Sequence, residues 1–415
     1  MKYKKWYRLD NAAKFYAAVK NTSTPRVFRY SAVLTEEIDR QVLQRALEQT
    51  VEVFKNFNVN LKKGLFWYYL EESNQIEEVK EEHLPVCHKL YQSSEHLLYR
   101  VTYYRRKISL EVSHILSDGR GSVEFFKLLL ANYIKLRYSL SLDVAKENKS
   151  AQEKSENSFD KYYQKNGKTK KEKKKKQPVY RYKGRKYHQQ TRFLECHMNV
   201  KEVLALAHQY QTTLTGLLIA VLIQSFQDEL KSSDMEKYIK IEIPVDLRSY
   251  FKSYSSMNYF GMTAVAYQFR SREDTLEEIL SKVNTQLKEN LEKEKILERV
   301  NKMMALEKNW FCKIAPVVIK DLVLRSANEM TLQKSTTSLS NIGVIQLDPQ
   351  LCEYVESASV LTSTDNFQFT ICTIKEDLCI GISTRYVENE VIKNFCRFFS
   401  LQHKIPMKID MSGVE

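Results

Sequence analysis

Between residues 139 and 190 the hydrophobic periodicity that runs through the rest of the chain disappears. Ser, Asn, Lys and Gln dominate there, and a basic run from Lys168 to Lys176 sits inside the segment. Such a stretch cannot bury enough apolar surface to offset its own ordering entropy, so the body of the protein must be built from the patterned sequence on either side. The chain has 415 residues, about two to three times a usual domain. Two α+β halves are therefore expected, residues 1–190 and 191–415, with about 139–190 as the crossover linker that ends the first.

Strands and helices alternate in both halves. Residues 26–34 and 107–113 are rich in β-branched and aromatic types, and the second run alternates Ile108, Leu110 and Val112. A helix is expected over 36–54, a strand at 65–70, and a hairpin joining 97–104 to 107–113 through Arg105 and Arg106. Val123, Phe126, Leu129, Leu130 and Tyr133 form one stripe of a helix over 122–138, with Ser122 available as its cap. Past the linker the pattern gives a strand at 191–198, helices at 200–210 and 213–230, strands at 238–245 and 263–269, and a helix at 275–299. Strands at 337–345, 357–363, 367–374 and 378–385 and a helix at 388–400 follow.

The formal charge of +14 is concentrated. Thirteen basic residues and one acid, Glu172, lie between Lys161 and Lys186, which leaves the remainder near +2. A nucleic-acid binder interleaves its basic residues with aromatics along a folded face, and this run does not, so no nucleic acid is expected as a partner. A like-charged block of this kind reads as a solvated loop, with a weak contact to an anionic membrane surface as its alternative. Ten glycines and seven prolines leave little material for a phosphate cradle. No G-x-x-x-x-G-K-[ST] occurs, and Gly119-Arg120-Gly121 lacks the third glycine of a dinucleotide fingerprint.

Seven cysteines, an odd number without a C-x-x-C pair, suggest neither a disulfide framework nor a zinc ribbon, and no metal site is expected. The first ten residues lack the apolar core of a signal peptide. The most apolar stretch, Leu214 to Phe226, is too short for a bilayer that needs about 20 residues and reads as a buried helix. A reducing, cytoplasmic setting is expected.

One histidine has a strongly patterned setting. Ser113-His114-Ile115-Leu116-Ser117-Asp118-Gly119 falls where an apolar strand ends and a helix begins, the kind of place where a fold holds a reacting side chain. A histidine base needs its ring fixed, and an acid four residues later can lock such a loop through a cation elsewhere, with Gly119 permitting the turn. No G-x-S-x-G or H-E-x-x-H competes with it.

At this point the sequence resembles the chloramphenicol acetyltransferase-like superfamily, which includes plant BAHD acyltransferases, alcohol acetyltransferases and the condensation domains of nonribosomal peptide synthesis. His114-x-x-x-Asp118-Gly119 matches its H-x-x-x-D-G. Pro244-Val245-Asp246-Leu247-Arg248 and Asn258-Tyr259-Phe260-Gly261 are similar to its V-D-x-R and Y-F-G-N stretches. Ser338-Leu339-Ser340-Asn341-Ile342-Gly343 falls where that superfamily has a turn facing its active-site tunnel. The opening Leu9-Asp10-Asn11-Ala12-Ala13 is similar to the alcohol acetyltransferase branch. Three positions depart from the pattern: Ser113 replaces the first of the doubled histidines of condensation domains, Ser340-Asn341-Ile342-Gly343 replaces D-F-G-W-G, and Met262 replaces the asparagine of Y-F-G-N.

The resemblance implies two similar halves with the site at their interface. It implies that His114 takes the proton of an acceptor hydroxyl or amine, and that Asp118 pairs with an arginine, Arg248, to hold the loop. Ser338, Ser340 and Asn341 would be oxyanion donors, or else residues that end a strand, and Asn258 and Tyr259 would line the tunnel, or else form a turn before a strand. The function so implied is transfer of an acyl group, acetyl first among them, from acyl-CoA to an alcohol, with acyl-CoA as co-substrate and no permanently bound cofactor. The alternatives are a donor held on a carrier protein, and a binding protein of the same fold without catalysis. Oligomeric state, acyl length and acceptor identity are not legible.

Overall fold

The computed structural model describes residues 4–19, 25–91, 93–141, 151–164, 178–187, 191–309, 314–332 and 334–412. The Lys168–Lys176 run lies outside them. Three sheets carry the architecture. A five-stranded sheet has the order β12-β2-β7-β6-β5, where β2 is Val27–Leu34, β5 Lys80–Glu81, β6 Tyr99–Tyr104, β7 Lys107–Ser113 and β12 Val355–Thr362. A seven-stranded sheet has the order β10-β9-β11-β13-β14-β8-β15. Its strands are β8 Arg192–Asn199, β9 Ile239–Asp246, β10 Phe260–Tyr267, β11 Thr337–Val344, β13 Phe367–Ile374, β14 Asp377–Thr384 and β15 Lys408–Ser412. A small sheet, β1-β4-β3, combines Trp6–Arg8, Tyr68–Glu72 and Val59–Lys63.

Alternation along β2 and β7 explains the first half. Phe28, Tyr30, Leu110 and Val112 turn inward against the helices Arg40–Val53 and Gly119–Tyr138, forming one core with Leu43, Leu47, Phe126 and Leu130. In the second half the apolar helix Leu214–Gln224 is buried almost all round, as its composition predicts, and packs with helices Val200–Gln209, Leu276–Asn290 and Glu390–Arg397 on the larger sheet. No single helix among the described residues is long and apolar enough to cross a membrane.

The two halves share a sheet. Strand β12 belongs to the later half of the chain yet pairs antiparallel with β2, Ala358 opposite Ala32 and Val360 opposite Tyr30. Beside this exchange, β11 runs parallel to β13 and carries a bulge between Asn341 and Gly343, where Gly343 adopts φ 85°, the left-handed region that glycine enters without strain.

Several boundaries differ from the sequence expectation. The long helix of the first half starts at Gly119, with Asp118 as its cap, so Ser122 is a buried residue of the first turn and not the cap. The segment expected as one helix over 275–299 is two, Leu276–Asn290 with a Thr275/Glu278 capping box and Lys293–Glu307. Two helices, Asn11–Val19 and Val317–Leu332, and the short strands β1, β3, β5 and β15 were not expected at all.

Candidate active site

His114 follows β7 directly. Its backbone N–H donates to the Arg26 carbonyl at 2.9 Å, and Leu116 N–H closes a turn onto the Ser113 carbonyl at 2.8 Å. Asp118 ends the loop and is fully engaged. Its Oδ1 accepts from the Gly121 N–H at 2.8 Å, capping the helix, while Oδ2 accepts from Arg248 Nη1 at 2.9 Å and from the Tyr259 N–H at 2.6 Å. The same guanidinium donates to Asp246 Oδ1 and to the carbonyls of Ser255 and Met257. Asp118 and Arg248 thus bolt the His114 loop to residues 246–259 of the other half, and the carboxylate has a structural role.

Both glycines of this loop make room for close approaches. A Cβ on Gly121 would stand 2.2 Å from the Ser256 carbonyl oxygen, and one on Gly119 would stand 2.7 Å from Ile342 Cδ1. At Gly119 the neighbour is the tip of a side chain that can shift, so the backbone clash makes Gly121 the stricter position; neither is a left-handed turn, since Gly343 is the positive-φ glycine among the described residues.

Asn258 fixes the imidazole. Its Nδ2 donates to Asp10 Oδ2 at 3.0 Å and to the His114 carbonyl at 3.2 Å; both partners are acceptors, which sets the orientation of the amide. Its Oδ1 then faces His114 Nδ1 at 3.0 Å, and an amide oxygen only accepts. The proton of the neutral ring therefore sits on Nδ1, and Nε2 keeps its lone pair. Asp10, wholly buried, anchors the chain by also accepting from the Asn258 and Ala13 backbone N–H groups. Burial lifts the Asp10 carboxyl to about 6 against the pull of these bonds.

Tyr16 stacks on the His114 ring with centroids 3.9 Å apart and planes at 21°, while Phe28 and Phe260 approach at 4.6 and 5.5 Å. Burial pushes the His114 pKa down to about 4; the Asn258 bond and the Asp118 charge oppose that shift, and Arg26 adds to it. The imidazole is neutral at pH 7.

The β11 residues divide between two faces. Ser338 and Ser340 alternate with Leu339 and Asn341 as far as the bulge, where the Ile342 side chain comes against Gly119. Asn341 faces the other way, where Nδ2 donates to Thr215 Oγ1 at 3.0 Å and Oδ1 accepts from the Gly343 N–H at 2.9 Å. Tyr259 is also placed differently from the tunnel lining implied by the resemblance. Its side chain is buried against Phe159 and Tyr162, and it reaches the site through its backbone N–H. Asn258 lies beside the histidine ring as its support.

Sequence reasoning missed Asp10 as an anchor and Tyr16, Phe28 and Phe260 as the ring cage. Asp10 and Phe260 lie in stretches that carry the resemblance but had no role attached, and Tyr16 and Phe28 have no such signal, so tertiary contact is what joins all four to His114. His197 belongs to a separate cluster. Burial opposes its charge, but Asp377, Cys379 and Glu195 hold it protonated, pushed up to about 12. A cavity lined by Arg29, Glu77, Arg100 and Glu111 opens on the sheet face opposite Phe28, and Arg29 and Arg100 are paired there with Glu111.

No family model matches the chain, and no curated protein does. Solved structures do match it over nearly their whole length. A trichothecene 15-O-acetyltransferase from Fusarium sporotrichioides superposes with TM-score 0.62 at 10% identity, over 95% of this chain and 95% of that one. The first condensation domain of the calcium-dependent antibiotic synthetase, in complex with a substrate analogue, gives 0.62 at 12% identity over 95% and 94%. The starter condensation domain of rhizomide synthetase, in complex with C8-CoA, gives 0.63 at 11% identity over 96% and 94%. This chain has their fold. At such identities the likeness is one of architecture, two sheet-and-helix halves.

Proposed function

We propose that the protein is an acyltransferase in which His114 acts as general base and then general acid. The observation that carries this reading is the His114 ring itself, neutral, caged by aromatics where the two halves meet, with Nδ1 tied to Asn258 and Nε2 left to act. Nε2 removes the proton of an acceptor hydroxyl while the oxygen attacks a thioester carbonyl. The C–O bond forms, the carbonyl becomes an oxyanion, and its collapse breaks the C–S bond. The departing thiolate takes back the proton from Nε2, so the ring ends neutral.

Ser338 and Ser340, which alternate with Asn341 and so turn away from Thr215, are assigned to the oxyanion. Asn341 is left out of this role because its amide turns to Thr215 and the Gly343 N–H. Asp118 and Arg248 position the loop. The donor is assigned as acyl-CoA and the acceptor as an alcohol, in keeping with the fold neighbours, one named an acetyltransferase and another bound to C8-CoA. The six described cysteines are free thiols, in keeping with a reducing, cytoplasmic setting.

Release of free thiol from a series of acyl-CoAs against a panel of alcohols and amines tests the reading. Turnover that needs both an acceptor and His114 supports it. A folded protein that is inert with every CoA thioester but active with a carrier-bound one overturns the CoA assignment. Activity unchanged in His114→Ala overturns the mechanism.

A further inference from the structure

The helix Val317–Leu332 is amphipathic in the reverse sense. Its polar side chains face the protein: Asp321 accepts from the Tyr68 hydroxyl at 2.8 Å, Arg325 Nε donates to the Ala18 carbonyl at 2.9 Å, and Asn328 Oδ1 accepts from Arg26. Asp321 and Asn328 are only 7% and 6% exposed. The apolar residues face out. Val318 is 64% and Leu322 67% exposed, and Ile314, Ile319, Val323 and Met330 continue the stripe at helical spacing. The β3–β4 tip extends it: the Leu65 carbonyl accepts from the Val317 N–H, and Leu65 and Phe66 are exposed beside it. A monomer in water gains nothing from so large an apolar face.

We infer that this face docks on an anionic lipid surface, with the helix lying in the plane of the headgroups. The chemistry of its border selects that occupant. Lys320 lies over the Trp67 ring and Lys63 ends β3 beside it, a lysine edge with a tryptophan of the kind found at membrane interfaces. Positions 314, 318, 319, 322, 323 and 326 carry no acid, and the one acid at stripe spacing, Glu329, comes in the last turn. A second copy packed face to face would set lysine edge against lysine edge, whereas anionic headgroups complement it. The inference uses none of the residues of the Lys168–Lys176 run and stands whether or not His114 performs acyl transfer.

The test is co-sedimentation of the full chain with phosphatidylcholine vesicles with and without phosphatidylserine. A triple variant, Val318→Ser with Leu322→Ser and Val323→Ser, alters only side chains already in solvent, and its thermal melt controls for folding. Wild type sediments with the anionic vesicles, and the triple variant binds at least about tenfold more weakly. The loss persists in ~1 M salt, where attraction through a lysine run is screened and apolar insertion is not. Equal binding by wild type and variant, or no binding by wild type, overturns the inference. So does a vesicle-independent dimer in analytical ultracentrifugation that the triple variant abolishes, since that assigns the face to a second copy.

Discussion

Asn258→Ala separates a histidine that is merely present from one that is held. The substitution removes three hydrogen bonds, those to His114 Nδ1, the His114 carbonyl and Asp10 Oδ2, and leaves the backbone bond from residue 258 to Asp10 intact. At about 1 kcal/mol for each neutral bond and somewhat more for the one to a carboxylate, stability should fall by about 3–4 kcal/mol. The ring then loses the partner that fixes both its orientation and its tautomer. Loss of an orienting partner costs about 10–100-fold in kcat, less than the ~10²–10⁴ at stake when the base itself is removed. The KM for either substrate should change little, because Asn258 is buried behind the ring.

The pH profile gives the decisive sign. The Asn258 bond raises the His114 pKa, so its loss must move the acid limb of kcat/KM further below about 4, and the variant stays flat down to pH 5. Asn258→Asp places a carboxylate at Nδ1 and must move the limb the other way. Steady-state kinetics from about pH 3 to 8, with urea melts of each variant, read all of these quantities. Wild-type kcat in Asn258→Ala, or an acid limb that rises in that variant, would refute the orienting role.

His114→Ala should lower kcat by about 10²–10⁴ with the fold retained, as followed by thiol release and circular dichroism. Arg248→Ala leaves Asp118 buried without its cation and should cost about 3–5 kcal/mol in a denaturant melt. Gly121→Ala should destabilise by well over 1 kcal/mol, since the new methyl meets the Ser256 backbone oxygen. The pH dependence of stability contains two opposed terms. His114, lowered to about 4 from 6.5, contributes stability that is present above 6.5 and lost as pH falls to 4. Asp10, raised to about 6 from 3.8, contributes stability that is present below 3.8 and lost as pH rises through 6. Each is worth roughly 3 kcal/mol, so together they nearly cancel. His114→Ala should therefore make stability fall more steeply from pH 4 to 6 than it does in wild type, as read by urea titrations of both.

Strands β2, β7, β13 and β14 were legible because they are buried on both faces and so read as short runs of β-branched, aromatic and other apolar residues, with period two kept in β7 by Ile108, Leu110 and Val112. The helix Val317–Leu332 was not, because its apolar stripe faces solvent and its inward face is polar, the reverse of what periodicity is read to mean. The break at Leu291 was hidden because neither Gly nor Pro marks it. At the site, the spacing of His114, Asp118 and Arg248 was readable since the first two share one loop and the third a short motif. The division of labour on β11 was not readable, because a bulge and the pairing of Asn341 with Thr215 decide which hydroxyls and amides face the loop. Asp10 lies 248 residues from Asn258, and no local pattern links them.

The strand that the later half lends to the first sheet also governs how this protein can come into being on the ribosome. Until Val355–Thr362 has been synthesised, β2 presents an open edge whose partner lies more than three hundred residues downstream. The first half must wait, half-finished and prone to pair with the wrong edge, so the chain should fold late, as one cooperative unit, and with a demand on chaperones that two independent halves would not make. Severing it within 165–177 should yield an amino-terminal piece that aggregates alone and is rescued only by co-expression with its complement.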